Sequence, residues 1–295
     1  MGENTKIEWC DHTVNLWWGC SKVHTGCKNC YAENTARRWG QNIWGENSPR
    51  REVKSAFRDL NKYQKIGAET GRKQVIFCGS MMDIFEQSKS LINTDGTHIY
   101  FDAGTLGYIK SETMSIRSKL FEMITENKYP DLIFLFLTKR PENISKFIPI
   151  EWNENLPENI WFGTSISDQN TADELIPVLL DKTPKGAKLF LSIEPQVGAI
   201  SLVRDFNQYT YDYLSGEKDF KISNGRTKTI KHGNSLSWII QGGESGAKKR
   251  EFKTEWAYLL KSQCKRAKVP YFFKQIDKIS PIPPDLLIRE KPFEK

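Results

Sequence analysis

Cys20-Ser-Lys-Val-His24-Thr-Gly-Cys27-Lys-Asn-Cys30-Tyr31 gathers three of the chain's six cysteines into eleven residues. Thiolates this close together are soft ligands, suited to zinc or to an iron–sulfur cluster. As a zinc site, the trio would be completed by His24 as Cys₃His or by Cys10 as Cys₄. As an iron–sulfur site, three thiolates would hold three irons of a 4Fe–4S cluster and leave the fourth iron open. Spacing alone does not choose between them. Location favours the cluster, because the trio follows the first strand candidate of a large α/β chain, where loops carry chemistry. Cys78 and Cys264 stand apart in the sequence.

A second set of polar residues ends the later strand candidates: Ser80 and Asp83, Thr138 and Lys139, Thr164 and Ser165, Ser192 and Glu194, Glu244 and Ser245, Lys274 and Gln275. In a parallel barrel these ends converge on one mouth, where a carboxylate holds an amine or ribose hydroxyls and a lysine holds an anionic group. Polar residues also end strands simply as caps and turn formers. Gly242-Gly243-Glu244 would let a ligand approach the backbone closely. His12, His98 and His232 are isolated and read as structural or surface histidines. Trp17, Trp18, Trp39 and Trp44 could stack nucleobases, although packing is the commoner use of such rings.

The elements that position these residues follow from apolar runs. Strands are expected over 13–19, 74–79, 132–137, 159–165, 187–193, 237–242 and 270–275. Helical spacing marks 31–39, 53–65, 112–127, 172–180 and 254–267, with Ile116, Leu120, Met123 and Ile124 on the inner face of the third. Seven strand candidates, several separated by helices, predict an α/β chain built as a partial or complete TIM-like β/α barrel. An open Rossmann-like sheet is the alternative. One domain over 1–295 is expected, with 93–107 as a loop and 201–234 as an insertion of no clear periodicity.

The chain has 295 residues, 38% of them hydrophobic, enough for a buried core. No apolar run is long enough for a membrane-spanning helix, and the polar start lacks the apolar stretch of a secretory signal. A cytosolic protein with reduced cysteines is expected, which disfavours three disulfides. The net charge of +7 is compatible with a nucleic-acid or phosphate-bearing partner.

Taken together, the motifs resemble the phage-associated, three-cysteine-motif, radical-SAM-like protein family. The resemblance rests on Ile7-Glu8-Trp9, on Gly19-Cys20 through Cys27-Lys-Asn-Cys30-Tyr31-Ala-Glu33, and on Gly79-Ser80-Met-Met-Asp83. It continues through Leu137-Thr-Lys-Arg-Pro141, Ser192-Ile-Glu-Pro195, Gly242-Gly-Glu-Ser-Gly246 and Phe273-Lys-Gln275. It implies a 4Fe–4S cluster on Cys20, Cys27 and Cys30, S-adenosylmethionine on the open iron, and an external electron donor. In such chemistry the reduced cluster cleaves the sulfonium and the adenosyl radical abstracts hydrogen from a substrate. Ser80 and Asp83 are then candidates for the methionine end, Ser165 and Glu194 for the ribose or substrate, and Lys139 and Lys274 for an anionic group. Gly242, Gly243 and Glu244 join them as candidate cofactor-binding residues. The favoured substrate is a nucleic acid or nucleotide. Two features depart from the broader radical-SAM pattern: six residues separate Cys20 from Cys27, and Gly-Gly-Glu follows the sixth strand candidate. A zinc-stabilised nucleic-acid-binding protein without redox chemistry is the alternative function.

Overall fold

Each of the seven apolar runs forms a strand in the computed structural model, which describes residues 5–222, 226–231 and 233–293. These are β1 (His12–Val14), β2 (Gln74–Cys78), β3 (Leu132–Thr138), β4 (Ile160–Ser165), β5 (Lys188–Ile193), β6 (Leu236–Gly242) and β7 (Tyr271–Gln275). They belong to one sheet and follow one another across it in chain order. The registers β1–β2, β2–β3, β4–β5, β5–β6 and β6–β7 are all parallel. Parallel strands are covered on both faces, which is why most of these runs are largely apolar; β1, His-Thr-Val, is the exception. A doubly wound sheet reverses its order at a switch point. This sheet does not reverse, so the Rossmann-like alternative falls and the winding is compatible with a partial TIM-like barrel.

The helices are α1 (Tyr31–Arg38), α2 (Ala56–Thr70), α3 (Thr113–Thr125), the one-turn α4 (Ile144–Phe147), α5 (Gln169–Lys182) and α6 (Thr254–Ala267). α2 starts later than its apolar spacing suggests and ends at Gly71, whose φ of 64° supplies a left-handed C-cap. The inner face of α3 also differs: Arg117 is buried, while Ile116 and Met123 are half-buried. Its guanidinium donates to the carbonyls of Ile84 (3.1 Å) and Glu86 (3.0 Å) and lies 4.0 Å from the centre of the Phe147 ring. Burial pulls its pKa down to about 10, against the attraction of Asp83.

By its contacts the chain divides into two units. One holds Met1–Val23, Cys27–Thr138 and Lys146–Ile160; the other holds His24–Gly26, Lys139–Ser145 and Trp161–Lys295. The first has an aromatic core in which Phe85 meets Phe136, Phe136 meets Phe121 and Phe121 meets Trp152. The expected strand over 13–19 breaks after β1, and Trp17–Trp18 instead pairs antiparallel with Arg50–Glu52, which pairs parallel with Leu91–Ile92. The expected loop over 93–107 carries an exposed hairpin, Tyr100–Asp102 with Tyr108–Lys110.

The core of the second unit has Phe190, Phe272 and Phe293 around Trp238. Within 201–234 it forms a four-stranded antiparallel meander, Val203–Asp205, Tyr209–Asp212, Glu217–Lys221 and Thr227–Lys231. The pairing puts Arg204, Tyr209, Tyr211, Lys218, Phe220, Lys228 and Ile230 on one face. All four carboxylates, Asp205, Asp212, Glu217 and Asp219, lie on the other. No helix among the described residues is long and apolar enough to cross a membrane.

Candidate functional site

In the first unit, Cys20, Cys27 and Cys30 are half-buried, and none is in a disulfide. Cys27 closes the 3₁₀ turn Thr25–Cys27, and Cys30 is the N-cap residue of α1. The backbone at Cys20 is pinned by the Gly45 N–H, which donates to its carbonyl at 3.0 Å. Next to it, the Ser21 hydroxyl donates to Glu86 at 2.8 Å. Glu86 also accepts both forks of the Arg50 guanidinium, at 2.8 and 2.7 Å. Arg50 is completely buried and donates further to the carbonyls of Ile43 (3.2 Å) and Ser48 (2.7 Å). A buried ion pair is tolerated only when its remaining hydrogen-bonding groups are satisfied in this way.

At the ends of β2 and β3 the polar residues hold turns. Asn15 donates to the Ser80 hydroxyl at 2.8 Å and accepts the Met81 N–H at 2.7 Å, which fixes the break after β1. The Tyr31 hydroxyl donates to the Ser80 carbonyl at 2.7 Å. Asp83 is buried and accepts the Thr138 hydroxyl (2.7 Å) and the Phe85 N–H (3.0 Å). Ser80 and Asp83 therefore stand at the strand end where they were expected, already engaged with the protein's own turns.

The donor set on the loop suits thiolate-bound metal: three half-buried cysteines within eleven residues, none in a disulfide. Among the described residues, no three His, Cys, Asp or Glu side chains stand in a ready-made metal-holding group. Cys10 is buried, with its S–H 3.7 Å from the Ile7 carbonyl. His12 is also buried, stacked on Tyr63 at 3.8 Å and hydrogen-bonded to Gln74, a structural histidine as expected. His98 packs edge-on against Tyr100, and His232 lies outside the described residues. Trp17 and Trp18 are core residues, whereas Trp39 is exposed.

In the second unit the strand ends form a chain of polar contacts. Lys139 donates to the Ser165 hydroxyl at 3.0 Å, and that hydroxyl donates to the Glu194 carbonyl at 3.4 Å. The Glu194 carboxylate pairs with Lys274. Ser165 is buried, but the side chains of Glu194 and Lys274 remain 19% and 15% exposed. Of the expected residues, the structure thus brings together Lys139, Ser165, Glu194 and Lys274.

The glycine pair works differently from its reading as a ligand cradle. A Cβ on Gly243 would stand 2.0 Å from the Ile276 carbonyl and 2.7 Å from Phe252, so the space beside it is filled by protein. Gly242 accepts from the Gln196 N–H at 3.0 Å through its carbonyl. Glu244 is buried and accepts Arg250 through both oxygens, at 2.7 and 3.0 Å.

His24 belongs to this unit as well. It accepts the Gly26 N–H at Nδ1 (3.0 Å), which puts the proton of the neutral ring on Nε2. Burial, helped by Lys139 and Arg140, lowers its pKa to about 4 in spite of Asp168. Burial alone would raise the Asp168 carboxyl. The Thr171 N–H and the Thr171 and Thr25 hydroxyls, together with His24, bring it below its ordinary value.

Sequence reasoning did not single out Arg50, Glu86, Arg117, Asp168 or Arg250. Only Asp168 carried a local signal, as an N-cap residue three positions before Thr171. The others act through partners distant in sequence or through burial that charge gives no hint of. No curated protein and no solved structure matches the chain. A family model described as "Protein of unknown function (DUF5131)" matches residues 4–98 and 108–283, which take in the cysteine loop and all seven strands of the sheet. The chain belongs to that family.

Proposed function

We propose that the protein is a radical-SAM-type 4Fe–4S enzyme acting on a nucleic acid or nucleotide, supplied with electrons by an external donor. The observation that carries this reading is the placement of three half-buried thiols, none in a disulfide, on the loop after β1 of a parallel sheet wound in chain order. Cys20, Cys27 and Cys30 would hold the cluster, the loop drawing its sulfurs together around it. When bound, the cluster and S-adenosylmethionine would supply one-electron cleavage of the sulfonium.

The chain's own residues would bind and orient. Lys139 and Lys274 supply positive charge for a carboxylate or phosphate, and Lys274 would exchange its partner Glu194 for it. Ser165 and Glu194 offer a hydroxyl and a carboxylate to ribose hydroxyls or substrate. Ser80 and Asp83 would meet the methionine end of S-adenosylmethionine, with Gly242, Gly243 and Glu244 supporting the second unit's strand end.

Anaerobic reconstitution with iron and sulfide, followed by assay for 5′-deoxyadenosine after reduction, tests the proposal. Broad cluster absorbance and the nucleoside product are expected. One tightly held zinc per chain with no inorganic sulfide, in anaerobic preparations too, would replace this reading by the zinc-stabilised binding protein. Binding of a single-stranded oligonucleotide should weaken steeply with salt. Salt-independent behaviour would point to a small-molecule substrate.

A further inference from the structure

The six residues between Cys20 and Cys27 contain the segment His24–Gly26, which packs with the second unit while the cysteines on either side pack with the first. Three independent contacts hold this segment. The Thr25 hydroxyl donates to Oδ2 of Asp168 at 2.9 Å. Oδ1 of the same carboxylate accepts the Thr171 N–H at 2.9 Å, so Asp168 is the N-cap of α5 and the anchor of the loop together. On the other side of the peptide unit, Nη1 of Arg250 donates to the Thr25 carbonyl at 3.2 Å. Arg250 is in turn clamped by Glu244, which takes its Nη2, its Nε and its backbone N–H, the last at 2.9 Å. Finally, Gly26 leaves no room beside Ser167: a Cβ there would come within 2.1 Å of the serine hydroxyl.

We propose that Asp168, Arg250 and Glu244 are positioning residues for the cysteine loop, gripping it at Thr25 between its first and second thiols. An eleven-residue span with three ligands pays a large ordering entropy if it is gathered only when metal arrives. A grip at Thr25, two residues from Cys27, divides that span into two short tethers and removes much of the cost beforehand. Glu244 then has a concrete use: its carboxylate orients the arginine that reaches the loop. The gap between Cys20 and Cys27 holds the anchored segment. The value of the grip for metal binding rests on the proposed cluster, but the grip itself is a property of the metal-free chain.

The test uses the metal-free full-length protein and follows iodoacetamide alkylation of each cysteine by peptide mass spectrometry. Thr25→Val, an exposed and mild change, should raise the rates at Cys20 and Cys27 about 3-fold, and Arg250→Gln about 10-fold. Buried Cys78 and Cys264 should stay as protected as in the wild type, which certifies the fold of each variant. Reconstituted iron and sulfide per chain should fall in the same order. Unchanged alkylation at Cys20 and Cys27 in both variants overturns the proposal. If alkylation rises as expected but the wild type binds no iron, the grip stands and the radical-SAM reading falls.

Discussion

Two carboxylate–cation pairs, one in each unit, face opposite demands. Glu86 and Arg50 in the first unit are buried almost completely and hydrogen-bonded on several sides, with Ser21 of the cysteine loop as one of the partners. Glu194, just after β5, and Lys274, in β7, belong to the second unit and keep part of their surface in solvent. The first pair cannot be opened without leaving a naked charge in the core. The second can change partners at little cost. The first pair is structural charge and the second exchangeable charge, and only the second kind suits a ligand.

The sharpest way to break this contrast is Glu86→Ala. It strands the Arg50 guanidinium and should cost about 3–5 kcal/mol in urea unfolding at neutral pH. A cost below about 1 kcal/mol would mean that Arg50 finds other partners and that the pair is dispensable.

Acid should discriminate next. His24 binds its proton only near pH 4 when folded, whereas in the unfolded chain it does so near its ordinary value of 6.5. Between those values the unfolded state takes up the proton first, so stability falls as the pH drops from about 6.5 to about 4, by up to about 3 kcal/mol, and is flat with respect to this group below. His24→Gln, compared with the wild type across that window, should flatten the slope. An unchanged slope would assign the acid sensitivity to other groups.

Gly243→Ala sharpens the difference between a packing glycine and a ligand cradle. Its methyl group meets the Ile276 carbonyl, and a destabilisation of about 1–3 kcal/mol is expected. A neutral thermal midpoint would reopen the space beside Gly243 to a ligand. The smallest effect belongs to Lys274→Ala. Removing one partner of a part-exposed pair should change unfolding free energy by less than about 1 kcal/mol. The same change should weaken binding of an anionic ligand several-fold, measured by calorimetry with a single-stranded oligonucleotide. Equal losses in stability and binding would make this pair as structural as its counterpart.

Six of the seven strands were legible because a strand covered on both faces is written as a mostly apolar run; β1, His12–Val14, is not, and the longer strand expected there broke off at Val14. α6 was legible to the residue for a related reason, its apolar positions falling at helical spacing over the whole of Thr254–Ala267. What escaped has equally physical causes. Arg50 and Glu86 meet across 36 positions, and a charged residue in the sequence gives no sign that it is destined for the interior. Arg117 sits where an aliphatic residue would have been expected, because two carbonyls from the turn after β2 needed a donor. The sequence places six polar sets at strand ends but does not show which of them the protein itself engages. In the structure some hold the protein's own turns, such as Asp83 with Thr138 and Gln275 with the Gly243 carbonyl, and others form the chain from Lys139 to Lys274.

The meander escaped because it lacks the apolar alternation that announces a half-buried sheet, and that lack raises the question of how its strands find their alignment. Charge supplies it. Arg204 on the carboxylate-free face reaches Asp173 of α5 at 2.7 Å, and Lys218 lies over the buried Tyr211 ring at 4.6 Å. If Glu217–Lys221 slid by a single position, Glu217 and Asp219 would turn toward those tyrosines in place of Lys218 and Phe220. Carboxylates would then face aromatic rings in place of a cation and an aromatic side chain, and the Glu217–Lys231 register between the last two strands would be lost. The alternation of sign along these strands thus works as a proofreading device, rejecting misaligned copies of a sheet that hydrophobicity alone would leave free to slip.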